Sequence, residues 1–284
     1  MATGTRPERR AIPKELRELL LVSACAALLS AAMIWLGGGP RNDPPKRDVS
    51  LQRVLEAGQL VLGFDAGFPP MSFSNEKGEI VGFDIDMAQE VCRRLGVVLV
   101  KRPIDWDEKE NELYDGTIDC IASLSKTPET IRMMSLSEPY VREELLFVIR
   151  GDSKIKWLSD LRGKTIGVQA GSSTQKAINA IDIRNNVMVV LADDDLSVLK
   201  QLKEGKLDAG LVDSLVACYF IRSSKERYFI LADSLGGEEL TIGFKRGDRK
   251  LRDRVQEIIS EMKADKTLGK IAKKWFGIDI TTVR

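Results

Sequence analysis

Short β-branched runs alternate with amphipathic helical patterns from residue 49 onward. The apolar runs at 60–64 and 118–122 predict buried strands, and the apolar positions of 84–95 recur at helical spacing. A second unit with the same alternation begins at residue 160. Strands that alternate with helices are typical of a sheet whose strands are joined by crossover helices. The pattern therefore predicts an α/β fold.

The second unit predicts strands at 165–168, 187–191 and 207–212, with a helix after each of the first two. Nearer the end of the sequence, a helix that begins at Asp248 places a set of apolar side chains on one face: Leu251, Val255, Ile258, Ile259 and Met262. A face of this kind predicts a helix that packs on the core of the domain.

Polar residues follow three of the predicted strands. Asp65 ends the first strand, a Ser- and Thr-rich segment at 123–127 ends another, and Asp213 ends the strand at 207–212. In open α/β sheets, ligands bind beyond the carboxyl ends of the strands. We therefore expect a ligand site where these three stops meet.

The segment 19–36 is uncharged and apolar, and it has about the length that one helix needs to cross a bilayer. Basic residues are more numerous before it than after it, which favours a cytoplasmic tail at 1–18. The Gly- and Pro-rich stretch at 37–49 predicts a flexible linker. The following domain is therefore expected outside the cytoplasm, anchored at the cell membrane.

Three interpretations of segment 19–36 remain open. An uncleaved signal anchor fits its length best, because the apolar region of a signal peptide spans only about 7 to 15 residues. Small residues at Ser30, Ala31 and Ala32 would suit a cleaved signal peptide. The stretch 22–25 resembles a lipobox, in which Cys25 would carry a lipid anchor.

Composition excludes several classes of function. The chain contains no histidine, so Ser-His-Asp and Cys-His catalysis and His-ligated zinc are ruled out. It has 43 Lys and Arg against 42 Asp and Glu and only 6% aromatic residues, which makes nucleic acid an unlikely partner. Its four cysteines form no CxxC pair. We expect neither a metal nor a cofactor.

A series of short motifs then occurs in a characteristic order. They are Asp65-x-x-Phe68-Pro69-Pro70-Met71, Gly82-Phe83-Asp84-Ile85-Asp86-Met87, Ser125-x-Thr127-Pro128-Glu129, Ser137-Glu138-Pro139-Tyr140, Leu161-x-Gly163-Lys164, Gly171-Ser172-Ser173 and Gly205-x-x-Asp208-Ala209. From about residue 49 to 277, this series resembles the polar amino acid family, bacterial family 3, of the extracytoplasmic solute-binding proteins of ABC importers.

The resemblance implies a two-lobed, type II periplasmic-binding-protein fold in which each lobe is a mixed sheet flanked by helices. Lobe 1 would hold residues 50–143 and 238–284, and lobe 2 would hold residues 144–237. A small solute, an amino acid or a related compound, would bind in the cleft and close the lobes about their hinge. The closed protein, a monomer without catalytic activity, would then deliver the solute to the permease subunits of the transporter.

The resemblance also implies roles for the residues that follow the first strands. Phe68 would stack on the side chain of the ligand, and Asp65 would lie at the edge of the cleft. Ser123 and Ser125 would offer hydroxyl and backbone contacts to the ammonium and carboxylate groups of the ligand.

In the second lobe, Ser172 and Ser173 would hold the ligand carboxylate at the start of a helix, where the N–H groups and the helix dipole favour an anion. Asp213 would pair with the α-ammonium group. The family usually has an arginine directly after Thr-Pro-Glu that binds the α-carboxylate, and this chain has Thr130 there. Because Asp65 and Asp213 have no clear cation opposite them, we hypothesise a ligand that is cationic overall, such as a basic amino acid or an amine.

Two other classes of function stay open beside solute import. The missing arginine and the predicted anchor are compatible with a membrane-tethered sensor or scaffold whose pocket has degenerated. A few members of the fold resemble cyclohexadienyl dehydratase, a lyase that uses carboxylates of the cleft for acid–base elimination. That reaction normally also needs an arginine for the substrate carboxylates, which makes Thr130 an argument against it.

Overall fold

The computed structural model describes residues 47–283, apart from the side chains of Ile183 and Arg184, and a few isolated positions before them. Asp48–Arg284 forms a compact unit of its own. The predicted membrane segment at 19–36 and most of the predicted linker lie outside the described residues. Within the part that is described, no helix combines the length and the apolar character needed to span a bilayer.

The predicted α/β fold is confirmed. The helices of the described region are α1 (Ser50–Ala57), α2 (Phe83–Leu95), α3 (Lys109–Asp115), α4 (Pro128–Met133), α5 (Ser173–Ala180), α6 (Asp195–Lys203), α7 (Ser214–Ser223), α8 (Arg249–Ala264) and α9 (Thr267–Phe276). The strands are β1 (Gln59–Phe64), β2 (Gly67–Phe68), β3 (Ser72–Ser74), β4 (Ile80–Val81), β5 (Val98–Pro103), β6 (Cys120–Ser125), β7 (Met134–Leu136), β8 (Val141–Arg150), β9 (Thr165–Gln169), β10 (Met188–Ala192), β11 (Ala209–Asp213) and β12 (Tyr228–Lys245).

One mixed sheet holds most of these strands in the order β10-β9-β11-β8-β12-β6-β1-β5, with β7 also paired to β12. Strands β5, β1 and β6 are parallel, as are β10, β9 and β11. We call β1, β5, β6 and β7 the first-lobe strands, and β9, β10 and β11 the second-lobe strands. The antiparallel pair β8 and β12 lies between the two groups, which gives the two-lobed fold.

Strand β12 is 18 residues long and pairs with β8 on one side and with β6 and β7 of the first lobe on the other. Its pairing with β8 places Leu240 opposite Val141 and Tyr228 opposite Arg150. Two shifts in the register with β8 fall between Ile230 and Gly237. The two groups of strands are therefore joined through a pair of strands whose register is interrupted.

Each lobe has apolar side chains buried against its sheet. The predicted face of α8 is buried, and all of its members are at most 2% exposed: Leu251, Val255, Ile258, Ile259 and Met262. They belong to the same cluster as Val54 of α1 and Leu62 of β1. A separate cluster lies around Phe147, Ile166 and Leu211 of the second lobe.

Candidate functional site

A cavity lies where the carboxyl ends of strands from both lobes meet. The residues that line it are Asp65, Phe68, Trp106, Ser123, Ser125, Gln169, Ser172, Ser173 and Asp213. The space between these side chains is about 350 Å³, but only about 20 Å³ of it admits the centre of a water molecule. A cavity of that size holds about one water. A larger ligand therefore enters only if the two walls move apart.

Seven of the eight residues predicted to bind ligand line this cavity: Asp65, Phe68, Ser123, Ser125, Ser172, Ser173 and Asp213. The eighth, Thr130, is placed elsewhere. Its hydroxyl donates to the carbonyl oxygen of Ser125 at 2.9 Å and accepts the backbone N–H of Thr127, closing a capping box at the start of α4. These contacts use the hydroxyl of Thr130 for the local fold.

Asp65 follows β1 and connects the two walls of the cavity. One carboxylate oxygen accepts the backbone N–H of Gly67 at 2.7 Å. The other accepts an N–H of the side-chain amide of Gln169, the last residue of β9. Burial raises the pKa of Asp65 to about 6, and the negative charge of Asp194 acts in the same direction. Asp65 is therefore an acid whose charge is sensitive to what enters the cavity.

The hydroxyl of Ser123 is held from behind by a buried network. It donates to Asp84 at 2.6 Å, and Tyr140 donates to the other oxygen of the same carboxylate at 2.9 Å. The phenol oxygen of Tyr140 also accepts the backbone N–H of Ser123. Burial raises the pKa of Asp84 to about 6. The network fixes Ser123 in the left-handed region, at φ 50°, which is unusual for a residue with a side chain.

The start of α5 forms part of the second-lobe wall. Ser172 caps the helix by accepting the backbone N–H of Gln175, and its hydroxyl donates to the carbonyl oxygen of Gln169 at 2.8 Å. Gly171 precedes it at φ +65°, and a Cβ there would lie 2.9 Å from the backbone of Asp107. The close approach of these two segments brings the helix start to the cavity.

Lys109 joins the two walls beside the cavity. Its ammonium group donates to the carbonyl oxygens of Trp106, at 2.8 Å, and of Gly171, at 2.9 Å. Only 6% of Lys109 is exposed, and burial lowers its pKa. Glu129 and Lys176 form an exposed ion pair between the lobes. The walls are thus held together by contacts between protein groups.

Four carboxyl groups lie close to one another beside the cavity, and we call Glu143, Asp195, Asp213 and Glu238 the hinge acid cluster. Of these, Asp213 lines the cavity itself. Asp213 donates its backbone N–H to Asp195 at 3.0 Å, and Ser125 donates its hydroxyl to Glu238 at 2.6 Å. Burial raises the pKa of Asp195 to about 8 and the pKa values of Glu143 and Asp213 well above the usual range. The negative charges of the neighbouring acids also raise the pKa values of Glu143 and Asp213, because a like charge nearby disfavours ionisation.

The sequence analysis missed several residues of the site, among them Gln169, Lys109 and Glu143. One signal for Glu143 was present, because it lies between apolar Val141 and Leu145 on the buried face of β8. Among the described residues that line the cavity, none is a lysine or an arginine. The described part of the chain also contains no group of His, Cys, Asp and Glu residues suited to a metal ion.

A cleft of this construction, at the strand ends of two lobes, is matched by a known family. The family model of the bacterial extracellular solute-binding proteins, family 3, covers residues 60–278. The chain belongs to this family. This match, together with relatives and solved structures that are amino acid-binding proteins, confirms the resemblance found in the sequence.

Relatives of known function support the same assignment. The L-cystine-binding protein TcyJ of Escherichia coli (strain K12) is 28% identical over 238 residues, which cover 81% of this chain and 87% of that protein. The lysine/arginine/ornithine-binding periplasmic protein of the same organism is 31% identical and covers 77% of this chain and 88% of its own length. Both of these relatives are binding proteins.

Solved structures of family 3 type superpose over most of the described chain. An ABC uptake transporter substrate-binding protein from Streptococcus pneumoniae with bound histidine has a TM-score of 0.80 and 31% identity, covering 84% of this chain and 100% of its own. The structure of Tv2483 bound to L-arginine has a TM-score of 0.79 and 30% identity, with 84% and 98% covered. The chain is therefore a solute-binding protein of a family that acts outside the cytoplasm.

Proposed function

We propose that this family 3 protein captures an amino acid or a related, cationic small solute in the cleft between its lobes and delivers it to the permease of an ABC importer. The observation that carries the proposal is a cavity lined from both lobes, with Asp65 on one wall and Asp213 on the other. A solute bound by both acids would hold the lobes together, which is the change in shape that a permease can recognise.

The lining residues supply the chemistry for an organic cation. Asp213 and Asp65 are the partners for ammonium or guanidinium groups, which form charge-assisted hydrogen bonds with carboxylates. Phe68 and Trp106 offer apolar and aromatic surface to the carbon chain and to a cation. Where the ligand has an anionic group, the N-terminus of α5 at Ser173 is the place for it.

The proposal includes the division of the chain into lobes, with residues 50–143 and 238–284 in lobe 1 and residues 144–237 in lobe 2. Its support is the pairing of β8 with β12, in which Glu143 lies opposite Glu238. The two proposed boundaries therefore fall beside each other in the crossing strands, as a hinge requires. We further propose that a monomer of the protein acts at the cell membrane, anchored through segment 19–36.

Thermal unfolding of the full chain in a mild detergent tests the proposal, with the basic and neutral amino acids, alkane diamines and prephenate as additives. A ligand at 100 times its dissociation constant adds about 2.7 kcal/mol to the free energy of unfolding, which raises the midpoint by several degrees. We expect basic amino acids or diamines to produce this shift and Asp213→Asn to abolish it. The matched control is Asp152→Asn, which removes an exposed carboxylate and should leave the shift unchanged.

Each alternative function has its own outcome in this experiment. Absence of any shift, with a protein shown to be folded, would refute solute capture and favour a sensor or scaffold. Consumption of prephenate would favour the lyase. A shift that survives in Asp213→Asn would mean that the solute binds elsewhere.

A further inference from the structure

Two glutamates face each other where the chain crosses between the lobes. Glu143 of β8 lies directly opposite Glu238 of β12, and like charges at such positions repel. The neighbouring pair of the same two strands, Arg142 and Glu239, is complementary and forms an ion pair. Successive residues of a strand point to opposite faces. The repulsive pair is therefore confined to one face of the hinge.

Glu143 is buried without a partner. It is 5% exposed, and neither of its carboxylate oxygens has a hydrogen-bond partner. One oxygen of Asp195 and one of Asp213 are buried and unpaired in the same way. The charges that act on Glu143 all come from acids, namely Glu238, Asp195 and Asp84. Buried carboxyl groups are normally paired, so this group lacks a positive partner.

The hinge acid cluster is continuous with the ligand cavity. Asp213 belongs to both, and Ser125, which lines the cavity, donates its hydroxyl to Glu238. Asp65 adds a further acid on the first-lobe wall. The cavity is thus lined by two carboxyl groups, those of Asp65 and Asp213, and by no lysine or arginine among the described residues. Two helices begin at it, α5 at Ser173 and α7 at Ser214, and the second of these starts directly after Asp213, which already places a carboxyl group there. This balance favours a ligand with two positive groups and disfavours one with a carboxylate.

We propose that the hinge acid cluster is a second cation subsite of the cleft, and that the preferred ligand is a small organic dication without a carboxylate, an alkane diamine or its guanidino counterpart. One cationic group binds at Asp65, and the other binds between Asp213 and the glutamate pair of the hinge. The inference rests on the proposed function and narrows it to one class of solute.

The preference for a ligand without a carboxylate is tested with three pairs of compounds, whose members differ only in that group: putrescine and ornithine, cadaverine and lysine, and agmatine and arginine. Isothermal titration calorimetry on the full chain in mild detergent measures the six dissociation constants. We expect each amine to bind at least about tenfold more tightly than its parent amino acid, since a carboxylate would have to enter a cavity of like charge. An amino acid that binds more tightly than its amine would overturn the inference and leave the proposed import of amino acids intact.

The variant Glu143→Gln tests the subsite itself. The substitution should raise the dissociation constant of cadaverine by about tenfold or more, because one charged hydrogen bond is lost for the dication alone. The dissociation constant of pentylamine, which has one cationic group, should stay within about twofold of the parent value. Glu144→Gln is the matched control, since it removes the same charge from the next, exposed position of β8. An equal effect of Glu143→Gln on both amines, or on neither, would overturn the subsite. If no compound binds, the proposed function fails together with this inference.

Discussion

Asp195 begins α6, and its ionisation should make the stability of the protein depend on pH. The residue is 2% exposed, and burial raises its pKa to about 8 from a usual value of 3.8. The acids that face it are Asp65, Asp194, Asp213 and Glu143. The folded protein thus keeps a proton that the unfolded chain releases near pH 4. The contribution of Asp195 to stability is complete below about pH 4 and is lost as the pH rises through about 8.

The magnitude follows from the size of this pKa difference. Roughly four pKa units at 1.36 kcal/mol each set an upper bound on the order of 5 kcal/mol for the destabilisation above about pH 8. The coupled titration of Asp195 and Asp213 and the entry of water reduce this value. Asp195→Asn cannot ionise, and its side-chain oxygen can still accept the backbone N–H of Asp213. We therefore expect the free energy of unfolding of the variant to exceed that of the parent protein by at least about 2 kcal/mol at alkaline pH, and to be similar to it near pH 4.

Urea unfolding followed by circular dichroism at about pH 4, 7 and 9 measures this difference. The gain in the free energy of unfolding should grow with pH between the first and the last condition. Asp152→Asn, which alters an exposed carboxylate, provides the control and should show no such growth. A variant at Asp195 that is less stable than the parent at every pH, or whose gain is independent of pH, would refute the reasoning.

Three further substitutions probe the walls of the cleft. Lys109→Met removes the donor to the Gly171 carbonyl, and we expect about two- to tenfold faster ligand dissociation in stopped-flow measurements; unchanged rates would contradict a role in holding the lobes. Asp84→Ala leaves the buried hydroxyl of Tyr140 without its acceptor and should cost about 2 kcal/mol in urea unfolding, a loss that Asp84→Asn should partly restore. Phe68→Ala removes a ring that is 6% exposed and should cost about 3 to 5 kcal/mol, with Phe68→Leu as the milder control; a cost below about 1 kcal/mol would argue against its packing role.

Local patterns were sufficient to predict much of the fold. The face of α8 and the strands β1 and β9 carry their signals within a few neighbouring residues, and all three were predicted. Strand β12 was not, although it is the longest in the described chain. Its middle is polar and contains Gly236 and Gly237, and its two register shifts against β8 break the alternation that marks a strand. Only its pairing with distant strands fixes its conformation.

The site could be predicted where polar residues end strands, as at Asp65 and Asp213. Their placement in the cavity agrees with the sequence analysis, and their contact with a ligand stays a prediction. Gln169 and Glu143 were missed because their significance depends on partners far away in the chain, Asp65 for one and Glu238 for the other. A partner at that distance leaves no mark in the local pattern of residues.

The first lobe is assembled from two distant parts of the chain, and this affects the order in which the lobes can fold during synthesis. The backbone N–H of Leu251 donates to the hydroxyl of Ser50, 201 residues earlier, and Val54 is buried in one cluster with Ile258. At about 5 to 20 residues per second, a ribosome needs roughly 10 to 40 seconds to make the stretch between these partners. During that time the apolar face of α1 has no helix to cover it. Strands β9, β10 and β11 of the second lobe are contiguous in the chain, so this lobe can fold first. The first lobe, although its first strands are made earlier, is completed only after α8 has been synthesised.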